Sequence, residues 1–282
     1  MNVAADPAPA ASADAAADAA ADSAEAVAPL LSVADLTVRY GGVVALDSVS
    51  LHVRAGGFVG LIGPNGAGKT TFVDALTGFA RYSGEVRFDG ARLDSEPAHV
   101  RARHGLARTF QSGGVFDDLT VEENILVGER SGSGWRSAVV SVLSGRSAPA
   151  SPGTREIIGT LGLTELLRMQ AEELSEGQRK LVSVAQALAS KPKLLLLDEP
   201  AAGLDSTESA WLGRQLLAVR DSGVAILLVD HDMDLVVSVC DELVVLDFGK
   251  VIAVGPPREV MADPLVVAAY LGSVVPTVEE LT

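Results

Sequence analysis

Three short stretches of this 282-residue chain are apolar without a break: "FVGLI" at 58–62, "LLLLD" at 194–198 and "VAILLVD" at 224–230. A strand with one wet face alternates, so unbroken runs of strand length predict strands covered on both faces, as in a parallel sheet. Elsewhere the pattern does alternate. "LTVRY" sets Leu36, Val38 and Tyr40 on one face, "VSLHV" does the same with Val49, Leu51 and Val53, and "EVRFDG" at 85–90 ends in a turn. These predict a partly exposed antiparallel sheet. Between the apolar runs the spacing becomes helical: "KLVSVAQALAS" gathers Leu181, Val184, Ala185 and Leu188 on one face. Strand, helix, strand order predicts an α/β core. Near the end, "LVVLDFGKVIAVG" predicts a hairpin with Phe248 and Gly249 in its turn.

Two segments fall outside this patterning. Residues 1–29 are alanines broken by acidic residues, with Asp14, Asp18 and Asp22 repelling one another at helical spacing. With no large apolar face to bury, they read as a disordered tail. Residues 131–153, rich in Ser, Gly, Arg and Pro, read as a flexible insertion, although "AVVSVL" within them has the length of a short helix. The folded unit is expected over 30–273, with 274–282 as a second tail.

Composition narrows the function. The formal charge of −15 opposes broad nucleic-acid binding, which needs a basic surface. A single cysteine, Cys240, excludes an internal disulfide and reads as a small buried hydrophobe. No secretory signal is expected at the start, and no run approaches the roughly 20 apolar residues needed to span a bilayer. A membrane role would therefore come through a partner.

"GPNGAGKTT" at 63–71 fits G-x-x-x-x-G-K-[ST], with Gly63, Gly68, Lys69 and Thr70 at the fixed places, between a predicted strand and the predicted helix "KTTFVDALTG". Glycines let backbone N–H groups turn inward around phosphate oxygens, and the helix start adds partial positive charge. Lys69 would reach the β- and γ-phosphates and the Thr70 hydroxyl would ligate Mg²⁺. "LLLLDEP" then delivers Asp198 to the end of a buried strand, where α/β folds bind ligands. Asp198 would serve the Mg²⁺ shell, and Glu199 would orient or deprotonate the attacking water.

With "LSEGQ" at 174–178, these residues resemble one family closely, the nucleotide-binding subunits of ATP-binding cassette (ABC) transporters. The segment is similar to the signature L-S-G-G-Q, with Glu176 replacing the first glycine. The resemblance spans about residues 30–273. It implies a P-loop NTPase (RecA-like) parallel-sheet core, an antiparallel β subdomain and an inserted helical subdomain at about 113–178. It also implies ATP and Mg²⁺ as ligands. Tyr40 resembles the aromatic that stacks on adenine, and Asn65, Gly66, Ala67, Gly68, Lys69, Thr70 and Thr71 the phosphate cradle. Thr70, Gln111 and Asp198 resemble the groups around Mg²⁺, and Glu199, Gln111 and His231 the catalytic set. "AGLD" at 202–205 looks like the loop that touches the opposite subunit.

The family pairs two such subunits head to tail. Ser175, Gly177 and Gln178 would then serve the other subunit's ATP, and two permease subunits would dock beside Gln111 and the helical region at 116–174. A substrate-binding protein would act indirectly, and the place expected is the cytoplasmic face of the plasma membrane. "GLARTFQ", "LTVEENILVG" and the terminal "ADPLVVAAYLG" are similar to the ATPases of branched-chain and other hydrophobic amino-acid importers. Urea and short-amide importers and lipopolysaccharide-export ATPases share much of this wording. The competing reading is a soluble ABC-type ATPase acting on ribosomes or DNA, but those usually carry two cassettes or a coiled-coil arm. A GTPase or kinase lacks its N-K-x-D or H-R-D segment here.

Overall fold

The computed structural model describes residues 28–109, 114–130 and 150–272. The chain opens with β1 (Leu31–Tyr40) and β2 (Val43–Val53), an antiparallel pair. It then crosses to β3 (Phe58–Ile62), which runs through the glycine-rich loop into α1 (Lys69–Thr77). β4 (Ser83–Phe88) and β5 (Ala91–Arg92) return to the first layer, completing a four-stranded sheet ordered β2-β1-β4-β5. After α2 (Ala98–His104) comes β6 (Leu106–Arg108). The helical region follows, with α3 (Val121–Arg130), α4 (Pro152–Thr160) and α5 (Glu176–Ala189). The core closes with β7 (Leu194–Asp198), α6 (Ser206–Asp221), β8 (Ala225–Val229), α7 (Met233–Val239) and β9 (Glu242–Asp247). β10 (Lys250–Gly255), α8 (Pro257–Met261) and α9 (Pro264–Gly272) end the described chain.

The second sheet is ordered β10-β9-β3-β8-β7-β6, parallel except for β10 at its edge. Every residue of β3, β7 and β8 is buried, as the unbroken apolar runs predict. Alternate residues feed different cores. Phe58, Ile62, Leu195, Leu197, Ile226 and Leu228 face one layer, with helices α5 to α7. Val59, Leu61, Leu194, Leu196, Leu227 and Val229 face the other, with α1 and the four-stranded sheet. Burying both faces removes the polar alternation that a half-wet strand would show.

The four-stranded sheet departs from simple alternation. Leu31, Val33, Leu36 and Val38 are all buried, so the strand switches parity midway. The switch lies at Asp35, in the left-handed region at φ 52°, where the β1–β2 register shifts; on β2, Ser48 has φ 54°. Hydroxyls replace the lost ladder bonds: Asp35 N–H donates to Ser50 Oγ and Ser48 N–H to Thr37 Oγ1, each at 3.0 Å. Tyr40, which the pattern sets beside Leu36 and Val38, is instead 54% exposed at the strand's end.

In the helical region, α3 lies close against α5 because Gly128 has no side chain; a Cβ there would meet Gln186 O at 1.9 Å. The buried Asn124 ties down the approach to α3, accepting from Phe116 N–H at 2.7 Å and donating to the Phe116, Leu119 and Thr120 carbonyls. α4 begins at Pro152, inside the stretch composition marks as irregular, since Ser151 caps it and proline suits a first helical turn. Residues 1–27 of the first tail, the whole second tail, most of the 131–153 insertion with its "AVVSVL", and Gln111 lie outside the described residues.

Candidate functional site

β3, β7 and β8 are adjacent and parallel, so the segments leaving their C-terminal ends meet at one edge. From β3 comes the glycine-rich loop. Gly63 has φ +148°, and a Cβ there would lie 2.1 Å from Leu246 O on β9. At Gly68, with φ +105°, a Cβ would meet Ala45 O at 2.8 Å. Only glycine lets β2 and β9 press so closely on this turn. The β9–β10 turn braces it: Gly249 N–H donates to Ala67 O at 3.0 Å and its carbonyl accepts Asp47 N–H at 2.8 Å. Phe248 and Gly249, at φ 42° and 77°, form that turn as expected.

α1 starts directly from the loop with Gly68 as its N-cap and no side-chain cap, so its first N–H groups point where an anion would sit. Asn65, Gly66 and Thr70 are exposed, Thr71 is half-buried, and Ala67 is buried. Lys69 is 8% exposed and folds back, its ammonium donating to Gly63 O at 2.7 Å and Pro64 O at 3.1 Å. Burial pulls Lys69 below the ordinary lysine value, opposed by the nearby Glu199 and Asp198 carboxylates. Sequence-distant residues of the two motifs thus act on one another.

Asp198, at the end of β7, is buried and asymmetrically bonded. Its Oδ2 accepts from Arg108 Nη2 at 2.9 Å, and Arg108 Nη1 reaches Asp74 of α1 at 2.6 Å. Asp198 Oδ1 is buried with no hydrogen-bond partner. Such an atom needs a cation or water. Among the described residues no group of three or more His, Cys, Asp or Glu could hold a metal. One buried carboxylate oxygen without a partner fits a Mg²⁺ completed by phosphate oxygens and water, rather than an all-protein cage.

Glu199 has φ 52°, an unusual backbone for a residue with a side chain, and its N–H donates to Val229 O at 2.7 Å. Asp230 follows β8 and is 1% exposed. Its Oδ2 accepts from Ala201 N–H at 2.9 Å, and its Oδ1 from the N–H groups of His231 and Asp232 at 2.7 and 3.0 Å. One carboxylate therefore sets both the turn after Glu199 and the turn bearing His231, whose exposed ring lies 3.6 Å from Asp230 Oδ1.

Ser175 and Gln178 form a closed pair at the start of α5. Ser175 N–H donates to Gln178 Oε1 at 2.9 Å, and Gln178 N–H to Ser175 Oγ at 3.3 Å. Gly177 is buried toward Leu204 and Glu208. Among the described hydrogen bonds and ion pairs, these three residues have no partner in the glycine-rich loop. Tyr40 likewise stands apart, in register with Val43 at the β1–β2 hairpin. Arg108, Asp230 and Lys180, whose ammonium bonds Ala202 O, were not marked by the motifs. Arg108 and Asp230 stand inside quoted segments, "GLARTFQ" and "VAILLVD", but only packing reveals their partners.

Comparison with known proteins agrees with this geometry. Residues 46–202 match the family model "ABC transporter", and residues 250–275 match "Branched-chain amino acid ATP-binding cassette transporter". The chain is 37% identical to the high-affinity branched-chain amino acid transport ATP-binding protein BraF of Pseudomonas aeruginosa, covering 86% of this chain and 98% of that one. It is 34% identical to the lipopolysaccharide export ATP-binding protein LptB of Escherichia coli, covering 86% and 97%. A crystal structure of an ABC transporter's ATP-binding cassette in its ADP conformation superposes with a TM-score of 0.78 at 31% identity, covering 87% of this chain and all of that one. Phosphate loop, buried acidic strand end and signature helix thus stand on the cassette fold, and the chain belongs to the ABC transporter family as an ATP-binding, ATP-hydrolysing subunit.

Proposed function

We propose that this subunit energises an importer of branched-chain amino acids, paired with a second ATPase subunit and seated on two permease subunits at the cytoplasmic face of the membrane. The observation that carries the chemistry is the meeting of Lys69, Asp198 and Glu199 at one sheet edge. The substrate class rests on the relatives and on the match over residues 250–275. Among the described residues no helix is long and apolar enough to cross a membrane, so the coupling to transport is assigned to partner subunits.

In this reading the N–H groups of residues 65–71 and the Lys69 ammonium hold the β- and γ-phosphates, and Tyr40 stacks on adenine. Asp198 Oδ1, the Thr70 hydroxyl and Gln111 would hold Mg²⁺, which would neutralise phosphate charge. Glu199 accepts a proton from water as its oxygen attacks the γ-phosphorus and the bond to the departing ADP breaks. His231 donates to the γ-phosphate. Ser175, Gly177 and Gln178 of the second subunit close the far side of the nucleotide. A lipopolysaccharide-type exporter is the second reading, favoured by the LptB likeness.

Deleting the gene and measuring uptake of radiolabelled leucine, isoleucine and valine tests the proposal. Uptake should fall and return with the wild-type gene but not with Glu199→Gln. That variant should bind ATP yet hydrolyse it at least 100-fold more slowly. Unchanged uptake of all three would overturn the substrate class; full ATPase activity of Glu199→Gln would overturn the base.

A further inference from the structure

The turn after Glu199 is gripped from two sides by opposite charges. Asp230 Oδ2 takes the N–H of Ala201 at 2.9 Å, and the Lys180 ammonium donates to the carbonyl of Ala202. Neighbouring residues are thus held by a carboxylate on the β8 side and a cation on α5. The grip matters because Glu199 sits at φ 52°, a strained backbone that persists only where its surroundings enforce it. Lys180 is half-buried among charges: burial lowers it from the ordinary lysine value, while Glu176, Asp230 and Glu199 oppose that shift.

Lys180 lies five residues beyond Ser175, the N-cap of the same 14-residue helix. That is about 7.5 Å along a rigid rod. Whatever displaces the start of α5 moves the ammonium with it, and the turn behind Glu199 follows.

We propose that Lys180 is a positioning residue for Glu199. Through it, the signature helix carries engagement of the other subunit's nucleotide to its own catalytic carboxylate. The inference rests on the roles given above to Glu199 and Ser175. It assigns α5 two tasks, contact with one ATP at its start and control of the other ATP's hydrolysis at its second turn. The two sites of a dimer are then coupled in rate through a named bond.

The test uses the assembled transporter carrying Lys180→Met, Lys180→Arg or Glu199→Gln, with ATPase rate measured against ATP concentration. For Lys180→Met we expect kcat to fall tenfold or more, KM for ATP to stay within twofold, and the Hill coefficient to drop to 1 from a higher wild-type value. Lys180→Arg should restore most of kcat. In the Glu199→Gln background, Lys180→Met should still dimerise with ATP, read by gel filtration, which a general loss of structure would prevent. A Lys180→Met enzyme with wild-type kcat and Hill coefficient, beside an inactive Glu199→Gln control, overturns this inference alone. An active Glu199→Gln control overturns it together with the base assignment. A fall in kcat that tracks a lowered melting temperature and is not rescued by arginine reduces Lys180 to a structural tie.

Discussion

The two helix starts to which the proposed function gives a phosphate are built in opposite ways. α1 begins at Gly68 with no side-chain cap, wedged between β2 and the end of β9 so that its loop has little room to move. α5 begins at Ser175 on an exposed surface, with a capping box that satisfies the N–H groups of Ser175 and Gln178. The first is set to take an anion without giving anything up. At the second, Ser175 Oγ only accepts, from Gln178 N–H, so the hydroxyl proton is left to donate to a phosphate while the cap stays closed. In the function proposed above, phosphate binding at α1 belongs to the single subunit, and binding at α5 waits for a partner.

Gly63→Ala should break that contrast most severely. Its Cβ would collide with the backbone oxygen of Leu246, which cannot swing aside as a side chain does. Strain and displacement together should cost on the order of 3 kcal/mol. ATP affinity of the isolated subunit should fall at least tenfold, measured by urea unfolding and by titration with a fluorescent ATP analogue. Wild-type stability and affinity in this variant would mean that the loop is less constrained than its contacts require.

Ser175→Ala should do the reverse. Loss of the cap lowers stability by about 1 kcal/mol, while ATP affinity of the monomer stays as it was. ATP-driven dimerisation, followed in the Glu199→Gln background, should weaken at least tenfold. Reduced ATP affinity in the monomer would place Ser175 on its own subunit's nucleotide and contradict the division between the two helix starts.

The same contrast explains what sequence reveals. The glycine-rich loop was legible because close backbone contact admits few residue types, and β3, β7 and β8 because strands buried on both faces stay apolar throughout. β6 escaped notice: three residues at a sheet edge are too few for any period to emerge. The parity switches in β1 and β2 were hidden because Asp35 and Ser48 enter the left-handed region without a glycine to announce it. The start of α4 was masked by the serine-rich composition around its Ser151 cap. Among functional groups, Asp198 and Glu199 stood out by ending an apolar run. Arg108, Lys180 and Asp230 act through partners 90, 22 and 29 positions away in sequence, so no local spacing marks them.

Glu176 offers the finest adjustment of the comparison. It is the first residue of α5, exposed, and stands where the family signature carries glycine. A carboxylate there gains from the positive end of the helix dipole, typically 0.3–1 kcal/mol, so Glu176→Gln should lower stability by about that amount. The same charge opposes an incoming phosphate. Its removal should tighten ATP-driven dimerisation a few-fold, again in the Glu199→Gln background, with ATP affinity of the monomer unchanged. Because the side chain is exposed, the gain should shrink as salt rises from 0.05 to 0.5 M and the screening length falls to a few ångströms. A gain that ignores salt would point to shape rather than charge. Weaker dimerisation would mean that Glu176 makes an attractive contact across the interface, and the substituted signature would then be a device for holding the partner subunit.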